Sequence, residues 1–338
     1  MTNDQPLTRT VCRTFALGEP LAPPSAVPGG LANRLWRVET SRGVFAVKQM
    51  DRIEAPGWYD RAFALEQAAW ASGVPMPRPV PAAATGCCLA ELRASDGTTV
   101  VVRAHEWVEG SKLDNGVVYA DRDVERIAAL LAKIHALRMQ TGVTAREALL
   151  AFGDDHWRAL ADRAEREEQP WAAEMRVLLA PLHDLEQYLR DAHEDPTPLL
   201  VSHRDADPKN VMRTGRDELL LVDWDQAGPV NSRQDLADHA LVWAGIHRDE
   251  PDPHAVRTFV AAYRAAGGTS EPFRPTDLGE LVAKRLGWIE FNVHRALGEQ
   301  TRTDLDRLGG MQVIRRNTEQ LPRILRRIDP WLALLNSA

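Results

Sequence analysis

The stretch from Val201 to Gly228 constrains this chain most. It reads VSHRDADPKNVM, then the polar turn Thr214-Gly215-Arg216-Asp217, then LLLVDWDQAG. An apolar run delivers a polar loop holding Asp205 and, five residues on, Asn210. The chain then predicts a β pair over 210–213 and 218–223 that ends in Asp223. Taken singly, HRDADPKN reads as a polar turn with a helix cap and DWD as a strand-end turn. Together, in this order, they place two carboxylates and an amide oxygen on rigid elements. Hard oxygen donors of this kind suit a divalent cation, and a loop-borne carboxylate can orient an attacking hydroxyl.

The rest of the chain predicts an α+β layout of two lobes. Residues 33–40 and 44–50 are β-rich runs joined by Ser41-Arg42-Gly43, and 58–72 carries a helical apolar face. The proline-rich MPRPVPA then forces extended chain. Residues 86–93 and 98–107 read as a further strand pair, so the first hundred residues are mostly strand. After Gly110 helix dominates: 121–138, then 155–193 with breaks near Pro170 and Pro181, then 233 onward with breaks near Pro251, Gly267-Gly268 and Pro275. This gives an N-lobe over 1–104, a hinge at 105–112 and a helical C-lobe over 113–338, with a ligand cleft expected between the lobes.

Lys48 stands inside the apolar strand VFAVKQM, where a charge is costly unless it is paired or bound to an anion. The chain holds only five lysines, Lys48, Lys112, Lys133, Lys209 and Lys284, and otherwise uses arginine. A lysine at this place suggests a need for a compact ammonium. Glu66 on the 58–72 helix is its expected partner. The plain alternative is a snorkelling strand lysine and a solvated glutamate. Gly29, Gly30 and Asn33 precede the first strong strand, where backbone N–H groups can cover phosphates. The connector HEWVEG is expected to offer the Glu106 carbonyl and the Val108 N–H to a nucleobase. The order H-x-D, four residues, N, hairpin, D is that of kinase catalytic loops.

On these residues the chain resembles the aminoglycoside phosphotransferase family, small-molecule kinases with the protein-kinase-like fold. The resemblance lies in GGLANRLWRVETSRGVFAVKQM, RAFALEQAAWASGVPMPRP, HEWVEG, LLAKIHAL, VSHRDADPKNVM and LLLVDWDQAGPV, from residue 29 to about 242, with an unmatched insertion between 140 and 198. It implies Asp205 as catalytic aspartate, Asn210 and Asp223 as Mg²⁺ ligands, and Lys48 with Glu66 as the phosphate-positioning pair. It also implies ATP as cosubstrate, with GTP as the alternative. His203 and Asp235 are the residues that brace the loop. Many relatives carry glycine where Arg204 sits, and the metal motif is Asp-Trp-Asp rather than Asp-Phe-Gly. The form H-R-D-x-D-P-K-N also resembles kinases of tuberactinomycin antibiotics. Eleven residues separate Asp223 from Asp235, too few for the long activation segment of a protein kinase, so a small acceptor is expected.

The net charge of −7 argues against a nucleic-acid partner and suits a cationic acceptor. Asp238, Glu280 and Glu290, with Asp205, are the expected acceptor carboxylates. The three cysteines do not form a disulfide framework, no stretch is long and apolar enough to span a bilayer, and MTNDQPLTRT lacks a leader pattern. A cytoplasmic monomer or homodimer is expected. No histidine or cysteine pair stands at metal-ligand spacing, and His135 reads as a core-facing helix residue. Two other readings stay open: a housekeeping kinase of choline, an amino alcohol or a sugar, and a nucleotide-binding pseudokinase scaffold. The second would usually lack one of the residues named above.

Overall fold

The structure is a computed structural model that describes residues 5–28, 33–50, 58–143, 152–248, 250–269, 271–299, 301 and 303–338. Among these residues the helices are α1 (Gln5–Thr14), α2 (Trp58–Ala71), α3 (Asp121–Ala136), α4 (Asp154–Arg166), α5 (Ala172–His193), α6 (Ser232–Trp243), α7 (Pro253–Ala265), α8 (Gly279–Ala296) and α9 (Asp304–Asn336). The strands are β1 (Ser25–Val27), β2 (Arg34–Thr40), β3 (Gly43–Met50), β4 (Pro79–Val80), β5 (Ala90–Arg93), β6 (Thr99–Glu106), β7 (Ser111–Lys112), β8 (Leu199–Ser202), β9 (Val211–Arg213), β10 (Leu219–Leu221) and β11 (Gly228–Asn231).

The chain divides into two compact units, Met1–Leu113 with Pro208–Ala227, and Asp114–Asp207 with Gly228–Ala338. Residues 208–227 thus group with the first unit, although the linear order suggested the helical lobe. The cause is strand pairing. β9 is hydrogen-bonded to both β10 and β7, and the Leu221 N–H donates to the Pro75 carbonyl at 2.9 Å.

In the first unit an antiparallel sheet runs β1-β2-β3-β6-β4, with β5 also on β6. Period-2 alternation gives it two different faces. Trp36, Val38, Phe45, Val47, Val102 and Ala104 point to a buried core that α1 completes with Leu7, Val11 and Cys12, and Phe15 just after it. The opposite face carries Lys48 and, directly across in the register, Arg103. Helix α1 falls in a stretch that reads poorly as helix. Its apolar stripe is only Leu7 and Val11, filled out by the small polar Thr8 and Cys12.

The second unit is helical, with the short antiparallel pair β8–β11 inside it. The break expected at Pro181 does not occur, because α5 runs through it. Leu178, Leu182, Leu185 and Leu189 bury one continuous face, which outweighs the lost backbone bond. The carbonyl that loses its partner belongs to the exposed Val177, where water can satisfy it. Helix α9 likewise contains Pro322 and Pro330. No helix among the described residues is long and apolar enough to cross a membrane.

Candidate active site

The first unit holds Lys48, Asn210 and Asp223. The β9–β10 hairpin ends with Val222 donating its N–H to the Asn210 carbonyl at 2.9 Å, which ties Asn210 beside the residue preceding Asp223. Asp223 has φ 67° and ψ 58°, left-handed backbone that a non-glycine residue occupies at a cost. Its carboxylate is 40% exposed, while Asn210 is buried. An amide oxygen and a partly exposed carboxylate are hard donors, a set that fits Mg²⁺.

Lys48 Nζ lies 2.5 Å from Asp223 Oδ1 and 2.5 Å from Asp225 Oδ2. Burial opposes the ammonium charge, yet the two carboxylates more than offset it, so the Lys48 pKa lies above its usual range. The expected Lys48–Glu66 pair is replaced. Glu66 is 1% exposed and takes Arg103, with His105 Nε2 2.9 Å from its other oxygen. Arg103 in turn donates to Asp225 Oδ1 at 2.8 Å, and its guanidinium lies 4.0 Å from the Phe63 ring centroid. The reason is the register, which sets Arg103 opposite Lys48 on the face that α2 covers. The planar guanidinium fork can take two carboxylates at once, leaving the ammonium to Asp223 and Asp225.

Asn33 also reaches this cluster, donating to Asp225 Oδ2 at 2.9 Å. Gly29 and Gly30 lie outside the described residues. At the end of β6 the Glu106 carboxylate pairs with Arg78, and the Trp107 N–H donates to the Val44 carbonyl at 2.9 Å. Val108 follows in the connector, half-buried. Arg103, His105 and Asp225 were missed from sequence. Their signal was the one used for Lys48, charged residues in an apolar strand and beside a recognised motif.

Burial would raise the Glu66 pKa, but Arg103 and His105 outweigh it and lower it from 4.5 to about 2. A depressed carboxylate contributes stability that is complete above its unfolded pKa and lost as pH falls through its folded one. The window here is pH 4.5 to about 2. The wild type should therefore lose about 2 kcal/mol more than Glu66→Gln between pH 6 and pH 3. Denaturant unfolding at the two pH values measures it, and equal losses would show that Glu66 is not ion-paired in solution.

The second unit holds the loop that carries Asp205. β8 leads into the loop, where His203 is fully buried and the Asp205 N–H donates to its Nδ1 at 3.3 Å. Arg204 has φ 60°, left-handed backbone that favours glycine. Arginine keeps the place through its pair with Glu280 at 2.9 Å. Asp235, fully buried on α6, accepts from Ser202 Oγ at 2.6 Å and lies 2.9 Å from His135 Nε2. Burial works against its charge, but His239 and His135 more than offset this and hold the carboxyl well below its usual range. The Ala206 N–H donates to His239 Nε2 at 2.9 Å, and Trp243 Nε1 donates to the Ala206 carbonyl at 2.9 Å. Asp205 thus sits, half-exposed, on a loop whose flanks are pinned by buried groups. His135 is part of that bracing rather than plain core.

The three acids expected to bind the acceptor need correction. Asp238 is 1% exposed and paired with Lys284, Glu280 is 1% exposed and paired with Arg204, and Glu290 lies 2.8 Å from His294 Nε2. Carboxylates as deep as Asp238 and Glu280 require internal cations, and the shallower Glu290 faces His294, so none of the three is a bare charge awaiting a ligand. Asp207, Asp238 and His239 bring ligand atoms within 4.8 Å of one another. The cation of that cluster is Lys284, and His239 Nε2 already accepts a backbone N–H.

Solved structures similar in fold include a spectinomycin phosphotransferase in complex with ADP and spectinomycin. It is 12% identical, with 96% of this chain and 99% of that chain covered and a TM-score of 0.67. An amicoumacin kinase bound to AMP-PNP and Ca²⁺ is 13% identical, with 94% of each chain covered and a TM-score of 0.63. A choline kinase from Streptococcus pneumoniae is 16% identical, with 94% and 100% covered and a TM-score of 0.57. No curated protein matches the chain in sequence. The fold is the two-lobed α+β fold of protein-kinase-like enzymes. The profile of the phosphotransferase enzyme family matches residues 25–275, and the chain belongs to that family.

Proposed function

We propose that this phosphotransferase moves the γ-phosphoryl group of Mg²⁺-ATP, or of GTP, onto a hydroxyl of a small cationic acceptor in the cytoplasm. The observation that supports it most is the Lys48–Asp223–Asn210 arrangement, two hard oxygen donors at the two ends of the β9–β10 hairpin with the Lys48 ammonium of β3 paired to one of them. Asn210 and Asp223 would hold the metal, which when bound neutralises phosphate charge. Lys48 holds the phosphates. Gly29, Gly30 and Asn33 cover them, and Glu106 and Val108 present backbone groups to the base from the 105–112 hinge. Asp205 accepts the acceptor hydroxyl's hydrogen bond and takes its proton as the new O–P bond forms and the bond from the γ-phosphorus to the bridging oxygen breaks, releasing the nucleoside diphosphate. Residues 1–104 carry the nucleotide half and the 113–338 lobe carries the acceptor pocket.

Spectinomycin and choline, named for two of the similar structures, are both alcohols that carry positive charge at neutral pH. With the net charge of −7, this supports a cationic acceptor. An antibiotic of aminoglycoside or tuberactinomycin type, and hence a resistance role, is our first reading. A choline or amino-alcohol kinase is the second, favoured by the likeness to choline kinase. The chain acts as a monomer or homodimer, without nucleic acid or membrane.

A nucleotide-consumption screen over spectinomycin, aminoglycosides, tuberactinomycins, choline and amino sugars tests this. One cationic class should drive Mg²⁺-dependent consumption that EDTA stops. Consumption driven only by neutral or anionic alcohols would overturn the acceptor reading. Consumption indifferent to EDTA would overturn the metal reading.

A further inference from the structure

Lys48 has two carboxylate partners that differ in kind. Asp223 is 40% exposed at the strand end, whereas the Asp225 side chain is 6% exposed. Both Asp225 oxygens are in use. Oδ1 receives Arg103 at 2.8 Å, and Oδ2 receives Lys48 at 2.5 Å and Asn33 at 2.9 Å. The Asp225 carbonyl accepts from Trp58 Nε1 at 2.9 Å, which fixes its backbone. Arg103 is 2% exposed, clamped between Glu66 and Asp225 and covered by the Phe63 ring. Two cations thus face three carboxylates, Glu66, Asp223 and Asp225, and Asp223 is the most exposed of the three. Burial, and then Arg103, lower the His105 pKa, so that ring does not change the balance.

We propose that Arg103 is a positioning residue for phosphoryl transfer. It relays Glu66 to Asp225, and Asp225 keeps Lys48 aimed at the nucleotide phosphates when Asp223 engages the metal. Glu66 acts on Lys48 only through this relay. The proposal rests on the reading of Lys48 as the phosphate-binding lysine. Its chemical core is the bidentate fork. A lysine at 103 would keep the charge yet could not span two carboxylates in fixed geometry.

The test is nucleotide binding by the full chain, with a fluorescent ATP analogue and Mg²⁺ as the probe and no acceptor present. Thermal melting runs beside it. Arg103→Lys should weaken binding about tenfold, and Asp225→Asn by a similar factor. The double variant should be no worse than Asp225→Asn alone, because both changes cut one chain of contacts. Kinetically, the KM for ATP should rise while the KM for the acceptor stays put, a split that general loosening of the fold would not give. Should Arg103→Lys fail to fold, Glu66→Gln decides, since it keeps the oxygen toward Arg103 and removes only the charge; it should weaken binding in the same direction.

Wild-type binding by whichever of these variants folds, or losses that multiply in the double variant, would overturn the relay. Lys48→Met serves as the separate control. If it binds the analogue as tightly as wild type, the phosphate reading of Lys48 fails, and the relay, which rests on it, fails with it. If it weakens binding while the relay variants do not, only the relay fails.

Discussion

Asp205→Asn should abolish turnover while nucleotide still binds. Asparagine keeps the size and one carbonyl oxygen but cannot take the acceptor's proton. Loss of a positioned catalytic group costs at least ~10²-fold in rate. The structure makes this variant a clean one. The loop around Asp205 is held by its neighbours, through Arg204 on Glu280, Ala206 on His239 and Trp243, and Ser202 on Asp235. The substitution should therefore leave melting unchanged and act on kcat alone. A variant that retains near wild-type kcat would show that Asp205 is not the base.

The second large effect belongs to Asp223. Asp223→Asn should remove the Mg²⁺ dependence of nucleotide binding and lower kcat/KM by at least ~10²-fold, since it deletes charge aimed at the transferring group. Asparagine is the right replacement because it tolerates the left-handed backbone found here, with φ 67°. Alanine would add backbone strain and confuse the result. Lys48→Arg should not restore what Lys48→Ala loses, because a planar fork cannot replace a point charge between Asp223 and Asp225. Unaltered Mg²⁺ dependence in Asp223→Asn, or full activity in Lys48→Arg, would remove these residues from the phosphate site.

Much of this was legible from the sequence because the information is local. Strands β2, β3 and β6, helices α2 and α3 and the β9–β10 hairpin all announce themselves by period and by turn residues. Asp205, Asn210 and Asp223 announce themselves by spacing within twenty-three residues, 201 to 223. What stayed hidden is long-range. Nothing near Lys48 says that Arg103, fifty-five residues on, lies across from it in the sheet. Without that register Glu66 looks like the lysine's partner. The acids on α6 and α8 misled for the same reason: their cations, Lys284 and Arg204, are distant from Asp238 and Glu280 respectively in the chain. Helix α1 was hidden because it is short and carries few large apolar residues, and the unbroken α5 by a proline whose cost its leucine row outweighs.

The short path from Asp223 to Asp235 is occupied end to end. A single 3₁₀ turn, Trp224–Gln226, passes into β11, whose last residue, Asn231, caps α6 by accepting the Arg233 N–H at 2.9 Å. Apart from the connecting Ala227, every residue from Trp224 to Gln234 lies in that turn, in β11 or in α6, and the one hydroxyl in the stretch, Ser232, lies in the first turn of α6. Covalent control of the kind that orders an activation segment has no loop to order between Asp223 and Asp235.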